Sequence, residues 1–151
     1  MNLRDFAIPT ALATPGMRVA DLFRECIRAQ MPGIPYRTAS GIISGKASIR
    51  HILKRTCLPD FLTKHSHMLG DNIEHLRLPE LQSREVLIRT IDDYILPTLP
   101  QVNSSAPISK ALAIMEQNDT TYIFIIDGNE YFGAVSIMSL AQHMMNLAAK
   151  P

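Results

Sequence analysis

The sequence predicts an α+β fold made of two pseudosymmetric helix–strand–strand–helix units with a helical insert between them. Three observations carry that reading. Gly-x-x-Ser-Ile, leading into an apolar helix start, is written at Gly45 to Ile49 and again at Gly133 to Ile137, 88 positions apart. Each copy follows two short β-prone runs joined by a turn, and each pair of runs follows an amphipathic helical stripe. The stretch from 54 to 98 has its own character, polar and broken by Pro and Gly in its first half. With 46% apolar and 19% charged residues in 151, the chain has the means to bury a core and is not a disordered one.

In the first unit, Val19, Leu22, Phe23, Cys26, Ile27 and Met31 recur at helical spacing until Pro32-Gly33 stops them. "IPYRTASGIISG" then supplies two β-prone runs around a turn at Ala39-Ser40-Gly41. Ser48 is placed to cap a helix through Ile49, Ile52 and Leu53.

In the insert, "CLPDFLTKHSHMLGDNIEHLRLP" predicts a short helix with turns. "SREVLIRTIDDYILPTL" predicts a second helix on Val86, Leu87, Ile91, Tyr94 and Ile95, ended by Pro97. The insert is expected to pack against one repeat rather than to fold alone. The boundaries that follow are 1–54 for the first unit, 55–97 for the insert and 98–151 for the second.

The second unit restates the order with a one-residue slip. Ile108, Ala111, Leu112 and Met115 form the stripe, and "TYIFIIDGNEYFGAV" a hairpin whose Asp127-Gly128 favours a tight turn. Ser136 caps a closing helix through Ile137, Leu140, Met144 and Met145. At offset 88 Tyr36 meets Phe124, Gly45 meets Gly133 and Ser48 meets Ser136; at offset 89 Val19 meets Ile108 and Cys26 meets Met115.

Composition also narrows the function. A net charge of +1 gives no global field for nucleic acid or a membrane surface. No apolar run reaches 18 residues, and "MNLRDFAIPTALATPG" lacks a sustained apolar h-region, so a cytoplasmic protein is expected. Cys26 and Cys57 lack metal spacing and read as reduced thiols. His65, His67 and His75 have no acid or Cys at a spacing that completes a tetrahedral zinc set. Asp92 and Asp93 on one helix would point about 100° apart and cannot face each other across a substrate. With no nucleophile beside a base, no enzyme is expected.

Ile34-Pro35-Tyr36, Gly41 and Gly45-x-x-Ser48, followed by Ala106-Pro107-Ile108, Ala111-Leu112, Met115 and Gly133-x-x-Ser136, resemble the paired repeats of cystathionine-β-synthase (CBS) domains. The resemblance implies two CBS-type β-α-β-β-α repeats packed sheet to sheet, covering about residues 10–54 and 98–148. It further implies a regulatory sensor that forms a homodimer, requires no cofactor, and holds AMP, ADP, ATP or S-adenosylmethionine in clefts between the repeats. By that resemblance a Gly before the closing helix admits a ligand to the backbone, and a Ser hydroxyl with the helix N-terminus suits a phosphate. The candidate ligand-binding residues are Ile34, Pro35, Tyr36, Arg37, Lys46, Ser48 and His51 in the first repeat and Tyr122, Phe124, Ser136 and Ser139 in the second. His51 and Ser139 stand where the family carries a ribose-binding Asp, while Arg37, Lys46 and Arg50 offer positive charge near the first site. The alternative is the same fold without a ligand, docking a second copy or an unidentified protein partner.

Overall fold

The first apolar stripe folds as α1, Val19–Ala29, in a computed structural model that describes residues 2–58 and 80–150, with side chains described from 83 onward in the second segment. It ends where Gln30 takes a left-handed φ of 55° and the Met31 N–H donates back to the Cys26 carbonyl at 3.0 Å. Two antiparallel strands follow, β1 (Gly33–Arg37) and β2 (Ile43–Ser48), then α2 (Ile49–Cys57). The second repeat restates this as β3 (Gln101–Val102), α4 (Ile108–Gln117), β4 (Tyr122–Asp127), β5 (Glu130–Ser136) and α5 (Ile137–Ala148). Its first helix ends the same way, with Asp119 at φ 48° and Thr120 N–H returning to the Met115 carbonyl at 3.0 Å. The predicted order of elements is therefore present twice.

Strand register refines the predicted alignment. Val102 pairs in parallel with Ile125, and Ala13 makes the corresponding single bridge to Tyr36, which supplies the first repeat's opening strand. Tyr36 is thus equivalent to Ile125 rather than to Phe124. The one-residue slip covers the strand as well as the helix, because the first hairpin loop is one residue longer than the second between the equivalent pairs Arg37–Ile43 and Ile126–Tyr131.

The repeats also reach further towards their N-termini than the 10–54 and 98–148 that the resemblance covers. Leu3–Phe6 is a 3-10 turn, and so is Ile91–Tyr94, again 88 positions on. After each turn the chain crosses to the other repeat's sheet. Ile8 exchanges backbone hydrogen bonds with Ala134 at 2.8 and 2.9 Å, and Leu96 exchanges two of 2.9 Å with Lys46. "DFAIPT" at 5–10 and "DYILPT" at 93–98 are the sequence record of that crossing.

This overturns the predicted single helix over 83–97. α3 spans Glu80–Ile88, and the chain then leaves the helix to pair with the segment before α1: Val19 N–H donates to the Arg89 carbonyl and Ile91 N–H to the Met17 carbonyl, both at 2.9 Å. Once those backbone groups are taken by another segment, an intrahelical ladder cannot use them. The remaining insert prediction, a short helix after Cys57, lies outside the described residues.

The crossing explains the repeated glycine of Gly-x-x-Ser. A Cβ on Gly133 (φ 143°) would stand 2.8 Å from the Ile8 carbonyl oxygen, and one on Gly45 (φ 88°) would collide with the Leu96 carbonyl. What approaches these glycines is the other repeat's crossing strand, a correction to the expectation that they make room for a ligand.

Burial follows the same symmetry. One cluster holds the first repeat, with Val19, Leu22, Ile34 and Ile52 joined by Ile91 and Tyr94; a second holds Ala111, Met115, Ile123 and Ile125, joined by Leu3. Val86 of α3 belongs to the first, so α3 packs on repeat one. A third cluster joins the repeats sheet to sheet, with Ala29, Met31 and Ile43 against Phe124, Ile126 and Ala134.

Candidate functional site

Two clefts open where the helix caps meet the opposite repeat. Cleft one, about 440 Å³, is walled by Lys46, Ser48, His51 and Lys54 from repeat one and by Asn118 to Tyr122 from repeat two. Cleft two, about 530 Å³, holds the equivalents Ser136, Ser139 and Gln142, closed by Phe6, Ile8 and Gln30. Both volumes suit a small ligand.

Tyr122 enters cleft one because Gly33 leaves it room: a Cβ there would stand 2.6 Å from the tyrosine oxygen. The Lys46 ammonium donates to that oxygen at 3.3 Å and sits 4.9 Å from the ring centroid. Burial pushes the Tyr122 phenol above its ordinary value, partly opposed by a hydrogen bond from Ser48. Burial lowers the Lys46 ammonium from 10.5. His51 is also lowered from 6.5, first by burial and then by Arg55 and Lys54, so it is neutral at pH 7.

The two caps differ. Ser136 and Ser139 close on each other in a capping box, with Ser139 N–H donating to Ser136 Oγ at 3.1 Å and the two hydroxyls 3.2 Å apart. At Ser48 the corresponding bond from His51 N–H is stretched to 3.5 Å. The clefts differ in charge as well. Lys46, Arg50 and Lys54 face Asp119 in cleft one, whereas no Asp, Glu, Lys or Arg lines cleft two, where Phe6 stacks on His143 at 4.5 Å between ring centroids.

Of the predicted site residues, the fold brings Lys46, Ser48, His51 and Tyr122 together in cleft one, and Ser136 and Ser139 in cleft two. The other five line neither cleft. Ile34 is fully buried in the first core and Phe124 between the sheets, both at 0% exposure. Pro35 is also buried, Tyr36 packs on the first core, and Arg37 is exposed at the far end of β1. The strand register decides this, since successive residues alternate faces and the cleft lies at the Gly33 end. Sequence reasoning missed Lys54, one helical turn beyond Arg50, and the Asn118 to Thr121 turn, which only tertiary packing brings into the cleft.

Elsewhere, burial raises the Cys26 thiol to about 12, with the Glu25 charge adding to the effect, so it is no ready nucleophile. Both cysteines are free. Among the described residues no cluster of three His, Cys, Asp or Glu could hold a metal ion; His65, His67 and His75 lie outside them. No described helix is long and apolar enough to cross a membrane.

No protein-family model and no curated protein matches the sequence. Solved structures do. A CBS domain-containing protein of Kribbella flavida matches with a TM-score of 0.68 at 14% identity, over 96% of this chain and 99% of that one. A CBS domain-containing protein of Bacillus anthracis matches at 0.64 and 14%, over 97% and 94%. Protein MJ1225 of Methanocaldococcus jannaschii matches at 0.65 and 16%, over 95% of this chain but 47% of its own length. At these identities the likeness establishes the fold: this chain has the architecture of a tandem CBS-domain pair.

Proposed function

We propose that this chain is a regulatory module that senses an adenine nucleotide in cleft one and passes its occupancy to a partner protein. One observation carries the reading: Lys46, Arg50 and Lys54 line the same cavity as Ser48 and the N-terminus of α2. Helix N-terminal N–H groups and cations both favour phosphate, and each partly screened cation contributes on the order of 1 kcal/mol. Three cations offset the ribose carboxylate that His51 replaces, a bond of about 1.5–3 kcal/mol. ADP and ATP are therefore preferred over AMP, and AMP over adenosine or S-adenosylmethionine.

A second reading, a ligand-free docking module of the same fold, is favoured by cleft two, whose serines already satisfy each other. A thermal-shift panel separates the two. At a hundredfold excess over Kd a ligand adds about 2.7 kcal/mol, roughly 5–10 °C in Tm for a chain of this size. A rise with ADP and ATP supports the sensor; no rise with any adenine compound leaves the docking module.

A further inference from the structure

A second cavity adjoins cleft one. It holds about 710 Å³ along α2, where Ile49, Leu53, Cys57 and Leu58 form an apolar floor. Pro32, Arg50 and Lys54 line both spaces, so the two meet across these three residues. At the far end Leu53 and Cys57 also border a space of about 240 Å³ that Phe23 of α1 and Val86 and Leu87 of α3 enclose. The three cavities thus form one run along α2, polar and cationic at the helix start and apolar beyond it. From Arg50 to Cys57 the run covers about 10 Å of helix. Leu53 and Leu58 stand 39% and 38% exposed in it, and no described carboxylate lines the apolar groove.

We propose that this groove takes the apolar chain of a ligand whose phosphates sit in cleft one: a nucleotide carrying a hydrocarbon tail on its terminal phosphate. The inference rests on the adenine-nucleotide reading of cleft one and names which nucleotides that site prefers. Arg50 and Lys54 are the joint between the two spaces. Their cationic ends complement phosphate, and their aliphatic stems can lie along an alkyl chain. A tail leaving the last phosphate there meets Leu53 within one helical turn of Arg50. A bare nucleotide leaves this apolar floor in water, and a bare alkyl chain leaves the cations unanswered. The pseudosymmetry supplies the contrast. Positions 50 and 54 are equivalent to Met138 and Gln142, so cleft two has no cation at the corresponding joint.

Titration calorimetry of the full chain with ADP and with the methyl and decyl esters of its terminal phosphate tests this. The two esters carry the same charge and differ only in the chain. A methylene fully withdrawn from water raises affinity about fourfold, so in a half-open groove the decyl ester should bind at least about thirtyfold tighter than the methyl ester. Leu53→Gln should remove most of that gain and leave ADP affinity unchanged; Leu58→Gln, at an equally exposed site, serves if Leu53→Gln fails to fold. Met144→Gln, on the exposed apolar surface of α5, should keep the gain. Cys57 is half-buried and Cys26 buried, so in wild type the decyl ester at tenfold over its Kd should slow maleimide labelling of Cys57 at least about fivefold, and the methyl ester should not. ADP binding with equal affinity for the two esters, a gain that survives in the folded groove variants, a gain lost in Met144→Gln, or labelling of Cys57 indifferent to the decyl ester overturns the proposal and leaves the reading of cleft one standing. If ADP and both esters fail to bind, that reading falls and the proposal with it.

Discussion

The side-chain amide of Asn129 donates to the carbonyl of Gly41 at 2.8 Å, while its oxygen accepts the Ile43 N–H at 2.8 Å. One residue in the second hairpin's tight turn thereby clasps the tip of the first. Two hydrogen bonds at about 1 kcal/mol each give Asn129→Ala a cost of about 1–2 kcal/mol, read as a lower midpoint in urea with an unchanged slope. Asn129→Asp keeps the acceptor and sets a carboxylate against the Gly41 carbonyl, so it should cost at least as much. Two wild-type midpoints would remove the clasp from the account.

The crossing strands predict which glycines are indispensable. Gly133→Ala meets both the Ile8 carbonyl and a positive φ, and combining overpacking with backbone strain puts its cost at about 2–4 kcal/mol. Gly16 also has a positive φ, +80°, but nothing within 4 Å, so Gly16→Ala should cost only about 1 kcal/mol. Equal losses in calorimetric Tm would mean that the strand's approach is not what selects Gly133.

Glu25 ties the N-terminal segment to α1. Hydrogen bonds from Arg28 hold its carboxyl at about 2, down from the ordinary 4.5; burial opposes this, and the Ala11 N–H lowers it further. A depressed carboxyl stabilises fully above its unfolded value and loses that contribution as pH falls through the folded one. Glu25→Gln should therefore lower Tm by roughly 2–4 °C at pH 7, with the difference shrinking below about pH 4.5 and gone only below about pH 2. A gap independent of pH would point to packing instead.

The two caps should separate stability from binding. Ser136→Ala removes the hydroxyl that accepts from the Ser139 N–H and should cost about 1 kcal/mol, whereas Ser48→Ala removes a stretched bond and should cost less. His51 adds a pH signature. It is neutral at pH 7, and a bound phosphate favours its protonated form, so ligand affinity should gain up to about fivefold from this group as pH falls through its titration. His51→Asn should lose that gain when binding is measured on both proteins across the same pH range.

The hairpins, the stripes and both serine caps were legible because each has a local signature: period 3.6, a turn residue, a hydroxyl before a helix. The crossing was not. Val86, Leu87, Ile91, Tyr94 and Ile95 fit a helical stripe, and no local rule reveals that Arg89 and Ile91 give their backbone groups to Val19 and Met17. A signal did exist in the near-repeat of 5–10 at 93–98, which extends the pseudosymmetry five residues beyond the starts at 10 and 98. Ser48 and His51 could be placed in a cleft from their motif, but the turn facing them, Asn118 to Thr121, arrives only through sheet-to-sheet packing. Ile34 and Phe124 lie buried in the cores, and in sequence an apolar strand written for two buried faces looks the same as one that borders a ligand.

The central claim is that cleft one, and not cleft two, is built for a phosphorylated adenine ligand. Titration calorimetry of ADP into wild type, Lys46→Ala and Ser136→Ala tests it most directly. The account predicts one site per chain in wild type, a loss of about fivefold or more in Lys46→Ala, and unchanged affinity in Ser136→Ala. No heat of binding in wild type, or a loss confined to Ser136→Ala, would contradict it.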